Sequence, residues 1–205
     1  MGRRAYFTRE EFIDAALELI AVNGPAAVTM SDLAHHINAP IGSVYHRFDS
    51  REVLFAEAWI TLVESFQKGF LEILERDGLE AALYTAQWVR SHEKVRRVLL
   101  YYKCEDLISG DWPDEMKERA LQLARAFNEG IRDFTKRFFG RVTTKTRQRA
   151  QFALINAPVA AVRQYLNAEE IPPLVDELIR ETYRAVLGKE KGNGSSLQTK
   201  DNPPV

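Results

Sequence analysis

The stretch from Thr29 to Phe48, TMSDLAHHINAPIGSVYHRF, constrains this chain more than any other, because almost every residue in it has a positional reason. The Thr29 hydroxyl can accept from an orphan backbone N–H at a helix start, and Asp32 three residues on completes a capping-box pattern, which predicts a helix over 30–37. Leu33, Ala34 and Ile37 fall on one face of it. Asn38-Ala39-Pro40 ends that helix, since the residue before a proline is pushed out of helical dihedrals and Pro40 suits the first turn of a new one. From Ile41 to Phe48, Val44 and Phe48 lie four apart and face the core, which leaves Ile41, Ser43, Tyr45, His46 and Arg47 on the outer face. Two short helices about a tight turn make a helix-turn-helix, whose second helix can lie in a DNA major groove.

Upstream, Thr8 with Glu11 makes a second capping box, and Phe12, Ile13, Ala16, Leu17 and Ile20 form the buried stripe of a first helix stopped by Asn23-Gly24-Pro25. Arg3, Arg4 and Tyr6 precede it as a short arm, either a phosphate or minor-groove contact or a frayed terminus. Downstream, Asp49 or Ser50 starts a long helix whose apolar face, Leu54, Ala58, Trp59, Leu62, Val63, Phe66, Phe70 and Ile73, continues to Asp77-Gly78. No Pro/Gly/Ser linker interrupts it, so it ties the first unit rigidly to the second part of the chain.

The run Ile13, Ala16, Leu17, Gly24, Thr29, Met30, Leu33, Ala34, then Gly42-Ser43-Val44-Tyr45 and Phe48, then Ser50-Arg51 and Leu54, closely resembles the N-terminal domain of the TetR family of bacterial transcriptional regulators. By motif the resemblance covers about the first quarter of the chain, and the rest only by length and helical pattern. It implies an all-α fold of about nine helices. An N-terminal three-helix helix-turn-helix domain would occupy 1–50, and a larger ligand-sensing and dimerisation domain 51–188. The implied function is a repressor released from a near-palindromic double-stranded DNA operator by a small, largely apolar or aromatic effector. Control of the same fold by a protein partner, without a small molecule, is the alternative. The expected DNA-contacting residues are Thr29, Ile41, Gly42, Ser43, Tyr45, His46, Arg47 and Arg51. Arg47 stands where the family commonly has His or Tyr, and Ile41 where a polar base-reading residue is frequent, so no relative's operator sequence carries over.

The 28 basic and 29 acidic residues nearly cancel. Within 1–50, four basic side chains (Arg3, Arg4, Arg9, Arg47) face six acidic ones (Glu10, Glu11, Asp14, Glu18, Asp32, Asp49), a net charge of −2. Indiscriminate electrostatic binding to nucleic acid is therefore not expected; backbone N–H groups and a few placed side chains would have to carry the phosphate contacts. The longest apolar runs are too short to span a bilayer and no signal core follows Met1, which predicts a cytoplasmic protein. The lone Cys104 forms no intrachain disulfide and agrees with a reducing compartment.

The second part shows helical periodicity throughout: about 79–91, 92–108, Pro113 to Gly140, Thr143 or Thr144 to near Asn167, and Pro172-Pro173 to Gly188. Its polar end, KEKGNGSSLQTKDNPPV (189–205), has the composition of a disordered tail. Trp59, Val63, Phe66, Phe70, Trp88, Leu99, Tyr102, Phe127 and Ile131 are candidates for an effector pocket between helices. The stretch ALINAPVAAV, 153–162, has one polar side chain in ten positions and demands cover on all sides. With the last helix it suits an intersubunit four-helix bundle, seamed by Leu154, Ala157, Ala161, Val162, Val175, Leu178, Ile179 and Val186, with a kink at Pro158. His35 and His36 are adjacent and point apart, which does not make a metal pair, and no nucleophile or phosphate-loop motif is present. Neither metal, cofactor nor catalytic residue is expected.

Overall fold

Both sequence-read capping boxes form. The Glu11 N–H donates to Thr8 Oγ1 and the Thr8 N–H to Glu11 Oε2, which starts α1 (Arg9–Asn23); the reciprocal pair Thr29–Asp32 starts α2 (Met30–His36). In this computed structural model residues 7–102 and 113–188 are described. The Arg3-Arg4-Tyr6 arm, the end of the helix expected over 92–108, Cys104 and the tail 189–205 lie outside the described residues. Gly24, with φ 77°, ends α1 in a backbone region that favours glycine, and a 3₁₀ turn, Pro25–Ala27, leads into α2. Asn38, with φ 54°, makes the turn before Pro40 and α3 (Ile41–Tyr45). That helix is shorter than the 41–48 expected, and a turn carries the chain on to Phe48.

Phe12, Leu33, Val44 and Phe48 are fully buried and hold α1, α2 and α3 together, Phe12 meeting Phe48 edge to face at 6.3 Å. Ser50 caps α4 (Arg51–Leu74), whose 24 residues span about 36 Å and pack on α1 and on helices of the second part of the chain.

Asp77 caps α5 (Gly78–Ser91), the central helix of the second part, against which α4 and the C-terminal helices pack. Gly69 admits the Tyr84 ring where α4 meets α5, and Gly78, at the start of α5, admits the rings of Phe134 and Tyr183 from later helices; an added side chain at either glycine would collide. Burial, with Asp77 nearby, pushes the Tyr183 hydroxyl up to about 12. Next come α6 (Arg96–Tyr101), α7 (Asp114–Phe139), α8 (residues 144–163) and α9 (Leu174–Leu187), giving nine α-helices and no strand among the described residues. Residues 92–95 form a turn, so α6 begins four residues later than expected. The cause is His92: its Nδ1 bonds the Trp88 carbonyl at 2.9 Å and its ring stacks on Trp88 at 4.1 Å, so the side chain ends α5 where no glycine or proline does.

Helix α8 runs in three successive stretches, Thr144–Gln151, a π-helical turn Phe152–Asn156, and Ala157–Arg163. Pro158 lacks the N–H that an α-helix would offer Leu154, and its ring crowds the preceding turn; the widened π turn accommodates both. The predicted irregularity thus occurs as a π turn immediately before the proline. Two arginines fasten the C-terminal helices: Arg90 forks onto Asp176 at 3.0 Å from both carboxylate oxygens, and the buried Arg96 donates to the Ala168 carbonyl at 3.0 Å.

The dimer seam read from sequence needs correction. Leu154, Val162, Val175 and Ile179 are at most 1% exposed within a single chain, where they cover α5 and one another. They cannot also face a partner. Ala157, Ala161 and Val186 are half-buried, and only Leu178 of that set is exposed. The large apolar side chains exposed on α8 and α9 are Phe152, Leu174 and Leu178.

Candidate nucleic-acid interface and sensor core

Ile41, Gly42, Tyr45 and His46 are exposed together on α3, and Gly42 has open space where a side chain would stand. Ile41 and Tyr45, four residues apart, present an apolar side chain and a phenol on one face. Behind them, Val44 anchors the helix in the core. Ser43 is half-buried and its hydroxyl donates to the Pro40 carbonyl at 2.6 Å, which tightens the start of α3. Thr29 is exposed, but its hydroxyl donates to Asp32 at 2.6 Å. That bond, with the Thr29 backbone N–H, holds the Asp32 carboxyl below its usual range.

The basic side chains do not present themselves as sequence reasoning expected. Arg47 is half-buried: it donates to the Ser43 carbonyl at 3.1 Å and lies 5.6 Å from the Phe12 ring centre. Arg51 was expected at phosphate. Its guanidinium donates instead to the carbonyls of Val28, at 2.7 Å, and Pro25, and sits 4.3 Å above the Phe55 ring. It fastens the connection between α1 and α2 onto α4.

Two side-chain networks join the reading unit to the second part, and neither was visible in the sequence. Arg9 donates to the Arg47 carbonyl at 2.8 Å and to Glu57 on α4, while its guanidinium lies 4.4 Å over Phe48. Glu57 in turn stands 3.9 Å from Arg119 of α7, which bonds Glu64 at 3.0 Å. The second network centres on Glu18 of α1, which accepts from Lys94 at 2.7 Å and lies 3.3 Å from His36 of α2. Lys94 first, then His36, hold the Glu18 carboxyl below its usual range. A cleft of about 400 Å³ flanks this clasp, lined by Asp14, Glu18, His92 and Lys94 among others. Burial and the Glu18 charge push the Asp14 carboxyl up.

Of the expected pocket residues, the aromatic ones on α4, α5 and α7 come together. Phe66 stacks on Phe70 at 5.8 Å, meets Trp88 edge-on at 5.7 Å and lies 5.7 Å from Tyr84, while Phe70 meets Phe127 at 5.6 Å. Phe70, Trp88, Val63 and Ile131 are buried; Trp59, Phe66, Leu99 and Phe127 are half-buried. Tyr102 leaves the group: its hydroxyl lies against Gly24 at the end of α1, so it belongs to the junction with the reading unit. Among the described residues, no group of three or more His, Cys, Asp or Glu could hold a metal ion, and no helix is long and apolar enough to cross a membrane.

Residues 12–58 match the family model of the bacterial regulatory proteins of the tetR family. Over 107 residues the chain is 30% identical to the "Probable acrEF/envCD operon repressor" of Escherichia coli strain K12, covering 48% of this chain and 49% of that protein. The chain thus spans about half the length of the curated relatives it matches. Similar solved structures include the transcriptional regulator FadR of Bacillus subtilis in complex with stearoyl-CoA, with a TM-score of 0.65, 13% identity and coverage of 88% of this chain and 98% of that one. Another is the TetR family transcriptional regulator PfmR of Thermus thermophilus, with a TM-score of 0.62, 16% identity and coverage of 86% and 97%. At such identities the likeness is one of fold. The helix-turn-helix unit, residues 12–58, is thus that of the tetR family of bacterial regulatory proteins, and the helical architecture joined to it shares the fold of TetR-family structures.

Proposed function

We infer that the protein is a sequence-specific DNA-binding transcriptional regulator, acting as a homodimeric repressor released by a small effector. The observation that carries this reading is the exposed face of α3, Ile41, Gly42, Tyr45 and His46, on a helix whose opposite side is locked by Val44 and Phe48. An exposed isoleucine and phenol on a five-residue helix serve no folding purpose, but they fit a major groove, where an aliphatic group can meet a thymine methyl and a phenol a phosphate oxygen. The curated relative is named as an operon repressor, which supports the same sign of regulation here.

Two copies would pair through Phe152, Leu174 and Leu178, placing two α3 helices in successive major grooves roughly 34–36 Å apart. An effector among the aromatics of α4, α5 and α7 can regulate only by favouring one spacing of those helices, and continuous α4 is the lever. Because Arg9, Arg47 and Arg51 are engaged within the chain, the salt dependence of binding should be shallow for a dimeric DNA binder.

The test is selection of bound sequences from a random duplex pool by the purified protein, followed by titration of Ile41→Ala and Tyr45→Ala on the selected site. A two-fold symmetric site weakened by about 1–3 kcal/mol in each variant is the expected result. A pool with no enriched symmetric sequence would overturn the reading.

A further inference from the structure

Four buried polar atoms at the α4–α5 layer have no hydrogen-bond partner: Nε1 of Trp59 and Oε1 of Gln67 on α4, and Oγ1 of Thr85 and Nε1 of Trp88 on α5. Buried polar groups in folded proteins are almost always satisfied, so four in one layer call for an explanation. Residues 59, 63, 66, 67 and 70 recur at helical spacing and share one face of α4. That face meets α5 where Phe66 packs on both Tyr84 and Trp88. The chain supplies its own comparison for Thr85. Thr135, equally buried in α7, returns its hydroxyl to the Ile131 carbonyl at 2.6 Å, the usual solution for a buried helical threonine. Thr85 is fully buried and does not do so, although the same carbonyl arrangement is present one turn before it.

The chemistry of this layer narrows what could complete it. Arg96 of α6, buried like the four atoms, donates through one nitrogen to the carbonyls of Leu166 and Ala168, and its Nε is likewise without a partner. The layer itself offers aromatic faces, two indole N–H donors, a hydroxyl and an amide acceptor.

We propose that the effector is a planar aromatic carbonyl compound, its ring among Phe66, Phe70 and Phe127 and its carbonyl oxygen accepting from the indoles of Trp59 and Trp88. Gln67 and Thr85 set specificity by accepting from a hydroxyl or amino substituent on the same molecule. This rests on the reading of the protein as effector-controlled.

The probes are matched pairs differing only in the acceptor, fluorenone against fluorene and xanthone against xanthene, with stearoyl-CoA as a third arm, all measured by equilibrium dialysis. Each ketone should bind about tenfold or more tighter than its hydrocarbon or ether partner, and Trp88→Phe with Trp59→Phe, which keep the rings and remove the donors, should bring that ratio close to one. Equal binding of the paired compounds, an unchanged ratio in the double variant, or no binding of either ketone would overturn the proposal. Binding of stearoyl-CoA without binding of the ketones would sink this inference while leaving effector control standing. A second measurement needs no ligand: Thr85→Val, isosteric and lacking the orphan hydroxyl, should raise the melting temperature of the free protein. A fall would show that the hydroxyl already has a structural partner, and would remove Thr85 from the site.

Discussion

Arg51 offers the sharpest test of the structure, because its two roles respond differently to one substitution. In Arg51→Lys the charge survives but the planar fork does not. The guanidinium reaches two carbonyls, those of Val28 and Pro25, from one side chain, and lies 4.3 Å above Phe55; an ammonium can reach one carbonyl. A hydrogen bond from a charged donor contributes about 1.5–3 kcal/mol and an exposed cation–π contact about 0.5–1 kcal/mol. The side chain is 27% exposed, so solvent weakens both, and a net loss of about 2 kcal/mol is expected. For a chain of this length that corresponds to a fall in melting temperature of about 4–8 °C. The assay is thermal unfolding at fixed protein concentration, paired with a salt titration on the selected DNA site. A phosphate contact predicts the reverse pattern, since Lys replaces Arg there with an unchanged salt slope and unchanged stability. Melting within a degree of the parent would refute the clamp.

The dimer seam and the carboxylates of α1 give further tests. Leu178→Glu should produce folded monomers by sedimentation that no longer bind the selected DNA, whereas Ile179→Glu, one residue along and 1% exposed, should unfold the chain; a folded Ile179→Glu dimer would contradict the reassigned seam. Glu18 titrates below its ordinary value of 4.5, so its contribution to stability is complete above that pH and is lost as pH falls through the depressed value, and Glu18→Gln should flatten that part of an acid-unfolding curve. Asp14 has the opposite sign. Its carboxyl is raised above 3.8, so its charge opposes folding as pH rises through the raised value, and Asp14→Asn should melt higher than the parent at pH 7 but equal to it at pH 3.

The reading unit was legible because its determinants are local. Thr8 with Glu11, Thr29 with Asp32, and Pro40 each act on backbone groups within three residues, and their geometry follows from residue type. The roles of Arg47 and Arg51 were not legible, since their partners depend on tertiary placement: the Val28 and Pro25 carbonyls reach Arg51 only after a 3₁₀ turn aims them at α4. The apolar stretch 153–162 was correctly read as needing cover, but α5 supplies much of it from within the chain, and periodicity does not identify which neighbour buries a face. Tyr102 illustrates the same limit. An aromatic near other aromatics in sequence went to the junction with Gly24, because α6 starts late, after the turn that His92 makes by capping α5.

The coupling of the two parts can be tested through one carboxylate. Glu57, 14% exposed at its side chain, is approached from the reading unit by Arg9 and from α7 by Arg119. Arg9 and Arg119 do not bond each other, yet each also has a second commitment, Arg9 to the carbonyl of Arg47 just past α3 and Arg119 to Glu64. Moving α7 therefore changes how strongly Glu57 holds Arg9, and with it the end of the reading helix. In urea unfolding, Arg9→Met and Arg119→Met should be non-additive by about 0.5–1 kcal/mol, a modest value because both guanidinium groups are more than a third exposed. Repeating the cycle in a Glu57→Gln background isolates the path: the non-additivity should vanish, since the partner that the two arginines share has lost its charge. A coupling that persists there would mean that the reading unit and α7 communicate through the packing of α4 alone, and that the charge network is incidental to it.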